Sequence, residues 1–340
     1  MNIKDHFGLD IGTAEVKAVW LEEQNGVVKL LSGGLVKSPD LTDQRAVAET
    51  IKKLVSDLAV GTRNVVISLP EAQVVTRVIE TPLLADEELD SAMKWEAEQY
   101  IPLPLDEVYL RHQVLSTPTQ PGIDAKMEVL LVAAPNKMID GYLSVLNLAG
   151  LEAVGIETEI LAISRSLVSN DPYSPTTLIL NFGGTTTDLS VVRKGNISFV
   201  RSISSGSEAI TRAIVLGLGL DPMQAEEYKK TYGLDSSKLD GKVAAVIKPV
   251  METIVAEIKK AIFYYQTKHP DDPVKRVVLA GGMARMAGLI EYLGGELALE
   301  VQIGNPLANI VKNEQQAQIF LNDSPLYAAS VGLALKKING

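Results

Sequence analysis

Cysteine is absent from all 340 residues. That leaves no disulfide framework and no thiolate chemistry, and it fits a reducing compartment. A basic excess is absent too. The chain carries 32 Lys and Arg against 42 Asp and Glu, a formal net charge of −10, with no basic run. Nucleic-acid surfaces need a cationic stripe, so this balance argues against nucleic acid as a partner. Long apolar runs are lacking as well. The longest, such as VLLVAA at 129–134, fall far short of the roughly 20 residues that span a bilayer. The opening MNIKDHFGLD has no apolar core of the signal-peptide kind. These absences predict a cytoplasmic protein that does not insert into a membrane. What is present is 46% hydrophobic and 22% charged, an ordinary globular composition. The length predicts about two domains.

The stretch that organises the chain is 178–195, LILNFGGTTTDLSVVRKG. Leu178, Ile179 and Leu180 form an apolar run suited to a buried strand. Gly183 and Gly184 allow a tight turn, and Thr185, Thr186 and Thr187 add hydroxyls. Leu189, Val191 and Val192 resume the sheet. Such a turn can aim several N–H groups at one anion, which makes it a cradle for phosphate. An ordinary hairpin with a threonine-rich tip reads the same way. What favours the phosphate reading is a second copy, FGLDIGTAEVKAV at 7–19, with Asp10, Gly12, Thr13 and Lys17. Two such hairpins predict two similar domains facing each other across one nucleotide.

In chain order, strands are expected at 27–31 and 34–36 after the first hairpin. A helix is expected over 42–60, capped by Thr42 and ended by Gly61. Strands follow at 64–70 and 74–82, completing a first sheet. Residues 83–157 read as an α-β-β-α-β insertion, with helices at 86–100 and 136–149. On the first of these, Leu89, Met93, Ala97 and Tyr100 share an apolar sector, and Trp95 projects roughly 100° away from it. Glu96 falls inside that sector, where burial requires an ion pair. Trp95 is read either as half-buried packing or as an aromatic anchor for a partner. Helices are expected at about 159–169, 204–219, 221–233, 242–267, 286–293 and 325–338. Pro249 is expected to kink the long one or mark its true start. Further strands are expected at 196–204, at 276–282 and across LEVQIGNP.

This order of elements resembles the actin-like ATPase superfamily along the whole chain. GLDIGTAEVK matches its first phosphate motif, NFGGTTTD its second and VLAGGMARMAGL its adenosine motif. In the second, Asn181 stands where an acidic residue is usual. The helix-first insertion after ETP, together with KWEAEQYIPLPLDEVYL, AEEYK and AEIKKAIFYYQ, is similar to the FtsA and PilM branch, and most to the PilM family.

The resemblance implies an α/β actin-like ATPase fold, with two RNase H-like domains and an inserted α-β-β-α-β subdomain of the FtsA/PilM 1C type. The first core domain is placed at 1–82 with 158–177 and 325–340, and the insertion at 83–157. The second core domain is placed at 178–324, with its own 2B-like insertion at about 207–273. ATP and Mg²⁺ are implied. Asp10, Gly12, Thr13, Lys17, Gly183, Gly184, Thr185 and Thr186 would meet the phosphates. Gly206, Glu226, Lys229, Gly281, Gly282 and Met283 would border the adenosine. Asp10 and Asn181 would face the metal, Asp188 would partly replace the acid missing at 181, and Glu157 or Glu159 would orient water. With an amide at 181, slow or negligible hydrolysis is expected.

The PilM family implies a role in the type IV pilus assembly platform at the cytoplasmic face of the inner membrane. Its partner there is the N-terminal cytoplasmic peptide of a PilN-like inner-membrane protein. Other platform proteins and motor ATPases are implied beside it. Trp95, Tyr100, Ile101 and Leu103 would meet the peptide, in a groove between the insertion and the first core domain. The alternative is an FtsA-like, filament-forming cell-division ATPase. FtsA carries a C-terminal membrane-binding helix, and this sequence stops at KKING, so no such helix is expected. A sugar kinase on the same fold would need an acidic base aimed at a sugar hydroxyl, and no residue clearly supplies one.

Overall fold

The computed structural model describes residues 5–117, 126–168, 171–320 and 323–337. Strands β1 (Phe7–Ile11), β2 (Glu15–Gln24) and β3 (Val27–Lys37) form a meander, followed by helix α1 (Gln44–Asp57) and strand β4 (Asn64–Leu69). Phe7 and Leu9 are wholly buried because β1 is a central strand, antiparallel to β2 and parallel to β4. Two strands were expected within 27–36, but β3 runs unbroken. The glycine pair that suggested a break is instead a close approach. A Cβ on Gly33 would stand 2.9 Å from the Phe320 ring, and one on Gly34 would stand 3.0 Å from Leu58. The cap of α1 also differs. Asp43, not Thr42, accepts from the N–H groups of Arg45 and Ala46, and Thr42 bonds to Asp40. The helix ends at Leu58, before Gly61.

Next come β5 (Val75–Pro82), α2 (Asp86–Tyr100), β6 (Val108–Ser116), β7 (Lys126–Pro135), α3 (Asn136–Ala149) and β8 (Glu152–Thr158). A separate three-stranded antiparallel sheet has the order β5-β7-β6. Alternation along its strands points Ile79, Val129 and Leu131 at Leu89, Met93 and Ala97 of α2, which forms a core of its own. This corrects the expected α-β-β-α-β insertion at both ends. β5 was expected to complete the first sheet but pairs with β7. β8 was expected in the insertion but pairs in parallel with β4, while α3 packs on α1. A parallel strand needs a long crossover, and the inserted sheet with α3 supplies it. Most of the loop STPTQPGIDA, residues 118–125, lies outside the described residues.

The second half holds α4 (Glu159–Leu167), β9 (Thr177–Phe182), β10 (Thr187–Arg193), β11 (Asn196–Ile203), α5 (Ser207–Leu218), α6 (Pro222–Thr231) and α7 (Lys242–Lys268). β12 (Arg276–Gly281), α8 (Leu289–Leu297), β13 (Glu300–Ile303), α9 (Glu314–Phe320) and α10 (Ala328–Ala334) follow. The second sheet runs β11-β10-β9-β12-β13 and the first β3-β2-β1-β4-β8, so one topology occurs twice. Helix α7 continues through Pro249. Helix α8 begins three residues later than expected, because Gly288 precedes it in the left-handed region at φ 74°. α9 was not foreseen, and α10 is shortened by a 3₁₀ turn over Ser324–Tyr327.

Candidate functional site: a cleft between two matching turns

Each sheet ends its first hairpin in a turn, and the two turns meet. In the first, the Gly12 N–H donates to the Glu15 carbonyl at 3.1 Å. In the second, the Gly183 N–H donates to the Thr186 carbonyl at 2.9 Å. A Cβ on Gly184 would lie 2.6 Å from the Thr13 hydroxyl, so the turns face each other in contact. Helix α5 starts on the second turn. Its Ser207 and Glu208 N–H groups donate to the carbonyls of Gly183 and Gly184 at 3.0 and 2.9 Å. That approach requires glycine at 206, where a Cβ would stand 2.7 Å from both carbonyls and from the Thr186 nitrogen. Gly206 was expected beside the adenosine. It sits behind the second turn instead, outside the lining of the cleft. Gly281 ends β12 at φ 81°, with a Cβ position 2.3 Å from the Phe182 carbonyl.

The cleft has a volume of about 1220 Å³. Of the residues expected around nucleotide, Asp10, Gly12, Thr13, Lys17, Gly183, Gly184, Thr185, Thr186, Glu226, Lys229, Gly281, Gly282 and Met283 line it. Asn181, Asp188 and Glu159 line it too. Glu157 does not. Its carboxylate is gripped by Arg165 at 2.6 and 2.8 Å and by Lys336 at 2.6 Å. Burial pushes its pKa up, but these two cations outweigh burial and hold it below the usual carboxylate range. Glu157 therefore joins α4 to the chain after α10, and its expected catalytic role is corrected to a structural one.

The cleft floor collects charge. Asp10 accepts from Lys17 at 3.1 Å and from the Ser68 hydroxyl at 3.0 Å. Burial works to lower the Lys17 pKa, yet the carboxylates of Asp10 and Glu15 overcome it and hold the lysine above its ordinary value. Glu159 accepts from the Asn181 amide at 2.9 Å. Burial first, then the negative charges of Asp10 and Asp188, push Glu159 up to about 8, so it holds a proton at neutral pH. Asp188 is Asn181's cross-strand neighbour and accepts from Ser202 and Thr186. Burial raises it as well. At the far wall, Lys229 is buried and donates to Ser207, Thr211 and Glu226. Among the described residues, no group of three or more His, Cys, Asp or Glu is placed to hold a metal ion.

Three features escaped the sequence reading. Ser68 reaches Asp10 because β4 lies parallel beside β1, a register that the spacing alone does not announce. Ser202 reaches Asp188 through the β10–β11 pairing, whose register puts the two residues opposite each other. Glu71 follows β4 in a single 3₁₀ turn and is buried. Burial raises its pKa to about 7, and its Oε2 has no aligned hydrogen bond. The only signal for it was a carboxylate directly after a buried strand.

On the insertion, Trp95 stands 64% exposed on α2, and Tyr100 at the end of that helix and Leu103 just after it are exposed as well. Arg77 lies over the Tyr100 ring at 5.4 Å. Ile101, expected to meet a peptide, is instead buried in the inserted core with Met93 and Val108. Glu96 is only half buried, and it has no ion pair among the described residues, contrary to expectation.

A family model for the type IV pilus assembly protein PilM matches residues 8–338. Among solved structures, a PilM–PilN type IV pilus biogenesis complex is 26% identical, with a TM-score of 0.84 over 99% of each chain. MreB5 of Spiroplasma citri, solved with AMPPNP, is 15% identical with a TM-score of 0.54 and shares the actin-like fold over 96% of this chain and 94% of that one. FtsA of Streptococcus pneumoniae serotype 2 is a more distant relative, 20% identical over 92% of this chain and 78% of its own. FtsA of Escherichia coli K12 is 25% identical over 62% of this chain and 55% of its own. The match over residues 8–338 shows that this chain belongs to the PilM family of type IV pilus assembly proteins.

Proposed function

We propose that this chain binds ATP with Mg²⁺ in the cleft and, at the cytoplasmic face of the inner membrane, holds the N-terminal peptide of a PilN-like protein. The observation that carries the reading is the likeness to a PilM–PilN complex across 99% of both chains. No helix among the described residues is long and apolar enough to cross a membrane. A pilus role at the membrane then needs a partner already anchored there. An extended apolar peptide gains main-chain hydrogen bonds from a strand edge and specificity from side-chain pockets. β6 is an edge strand of the inserted sheet, and Trp95, Tyr100 and Leu103 leave apolar surface exposed on the same subdomain.

For the nucleotide, the two turns offer backbone N–H groups and the hydroxyls of Thr13, Thr185 and Thr186. Lys17 would give a cation to the phosphates. Asp10 would hold Mg²⁺ through water, since that ion keeps most of its hydration shell and takes few carboxylates. Bound there, the ion would neutralise phosphate charge. Lys229, with Glu226 and Thr211, would face the adenosine. Turnover would be slow. Burial and the neighbouring carboxylates disfavour an ionised Glu159, and Asn181 carries an amide where a carboxylate would be a base.

Two titrations test this. Calorimetry with Mg·ATP should give a one-to-one isotherm that Asp10→Ala or Gly282→Arg weakens at least tenfold; unchanged binding in both variants would place the nucleotide elsewhere. In a Trp20→Phe background, Trp95 fluorescence should respond to a synthetic PilN N-terminal peptide. A flat signal at saturating peptide would remove Trp95 from the groove.

A further inference from the structure

The inserted sheet is attached to more than the first core domain. Alternation along β7 turns Met127, Val129 and Leu131 toward α2, so Glu128 faces the other way. There it meets the second core domain. Arg193, the last residue of β10, makes an ion pair with Glu128, and the two side chains are only 18% and 15% exposed. The Ser116 hydroxyl of β6 donates to the second Glu128 oxygen at 3.0 Å, which fixes the carboxylate. Asn196, opening β11, donates to the Leu115 carbonyl of β6 at 3.2 Å. From β5, Val78 packs on a cluster containing Val192 and Ile197. All three strands of the inserted sheet thus touch the β10–β11 hairpin.

The other end of that hairpin is the cleft. β10 begins at Thr187, directly after the turn of Gly183 to Thr186. It is paired with β9 on one side and β11 on the other, which stiffens it. Seven residues of strand span about 20 Å. One stiff element therefore reaches from the second turn to the Arg193–Glu128 pair. Beyond that pair lies the inserted sheet, and on its far face lies α2, with Trp95 and Tyr100.

We propose that β10 is a strut and the Arg193–Glu128 pair its latch, making the insertion follow the second core domain when the cleft closes on a nucleotide. The phosphate state is then felt at the partner-binding face of α2. This rests on the nucleotide and peptide reading above.

The test uses the full chain and the variants Arg193→Gln, Glu128→Gln and the charge-swapped Arg193→Glu with Glu128→Arg. Mg·ATP and a PilN N-terminal peptide are titrated separately and together, and amide exchange is followed over 86–100 and 108–116. In the wild type, ATP should change the peptide Kd by about fivefold or more, a usual allosteric coupling, and alter exchange in both segments. In each single variant, ATP affinity should stay within about twofold while the effect of ATP on the peptide falls below about twofold; the swapped pair should recover it. The swap also guards against simple misfolding, since a buried charge left alone is costly. Single variants that keep the wild-type coupling would overturn the latch. So would wild-type exchange that ignores bound ATP, and both results would leave the binding reading intact. If the wild type binds neither ligand, the binding reading itself fails and the latch falls with it.

Discussion

Glu159 is the least comfortable charge in the cleft, buried between Asp10 and Asp188 with its pKa raised to about 8. A carboxyl raised above its unfolded value costs nothing below about pH 4.5. Its cost grows as pH rises through the window between 4.5 and about 8, because the unfolded chain ionises first. Glu159→Gln should therefore raise unfolding stability by about 1–3 kcal/mol at pH 8 and by little at pH 5, measured by urea denaturation. A variant no more stable at pH 8 would contradict the assignment. Gly206→Ala should cost about 1–3 kcal/mol, through overpacking against the second turn, and weaken ATP binding with it. The glycines, threonines and Asp10 were legible because acid, glycine and hydroxyl at a strand end form a local pattern. Glu157 and Glu159 were not separable that way. They stand two positions apart, and Glu157 is claimed by Arg165 and Lys336, the latter 179 residues away.

At the scale of elements, periodicity identified most helices and strands but not always their neighbours. The two strands that changed sheets show why. β5 has an alternating pattern that suits either sheet, and only the match of Ile79 to Leu89 and Met93 of α2 decides for the insertion. β8 follows the inserted strands in sequence, yet pairing with β4 needs no clue within its own residues. α9, EQQAQIF, is too short and polar to show a period, and its Phe320 packs against Tyr327. The assignment of β5 makes a measurable claim. Ile79→Ala should cost about 2–4 kcal/mol and raise amide exchange in α2 while leaving α1 protected. Loss of protection in α1 would return β5 to the first sheet.

For the whole molecule, one topology occurs twice, and the matching turns meet where the sheets face each other. The insertion touches both halves: α3 and β8 tie it to the first, and Arg193 and Asn196 to the second. Under the proposed function, nucleotide in the cleft acts as a switching ligand and not as the substrate of a fast enzyme. Steady-state ATP hydrolysis should fall well below about 1 per second, the lower end for kinases on comparable phosphoryl chemistry. Rates at or above that value would mean that Glu159 or Asp188 acts as a competent base. The central proposal is that the exposed apolar surface of the inserted subdomain, with Trp95 and Leu103, holds a membrane-tethered peptide. Its most direct measurement is calorimetric titration of a PilN N-terminal peptide into the full chain, with and without Mg·ATP. Saturable one-to-one binding is expected, weakened at least tenfold by Trp95→Ala combined with Leu103→Ala. No heat of binding in either nucleotide state, or undiminished affinity in that variant, would contradict it.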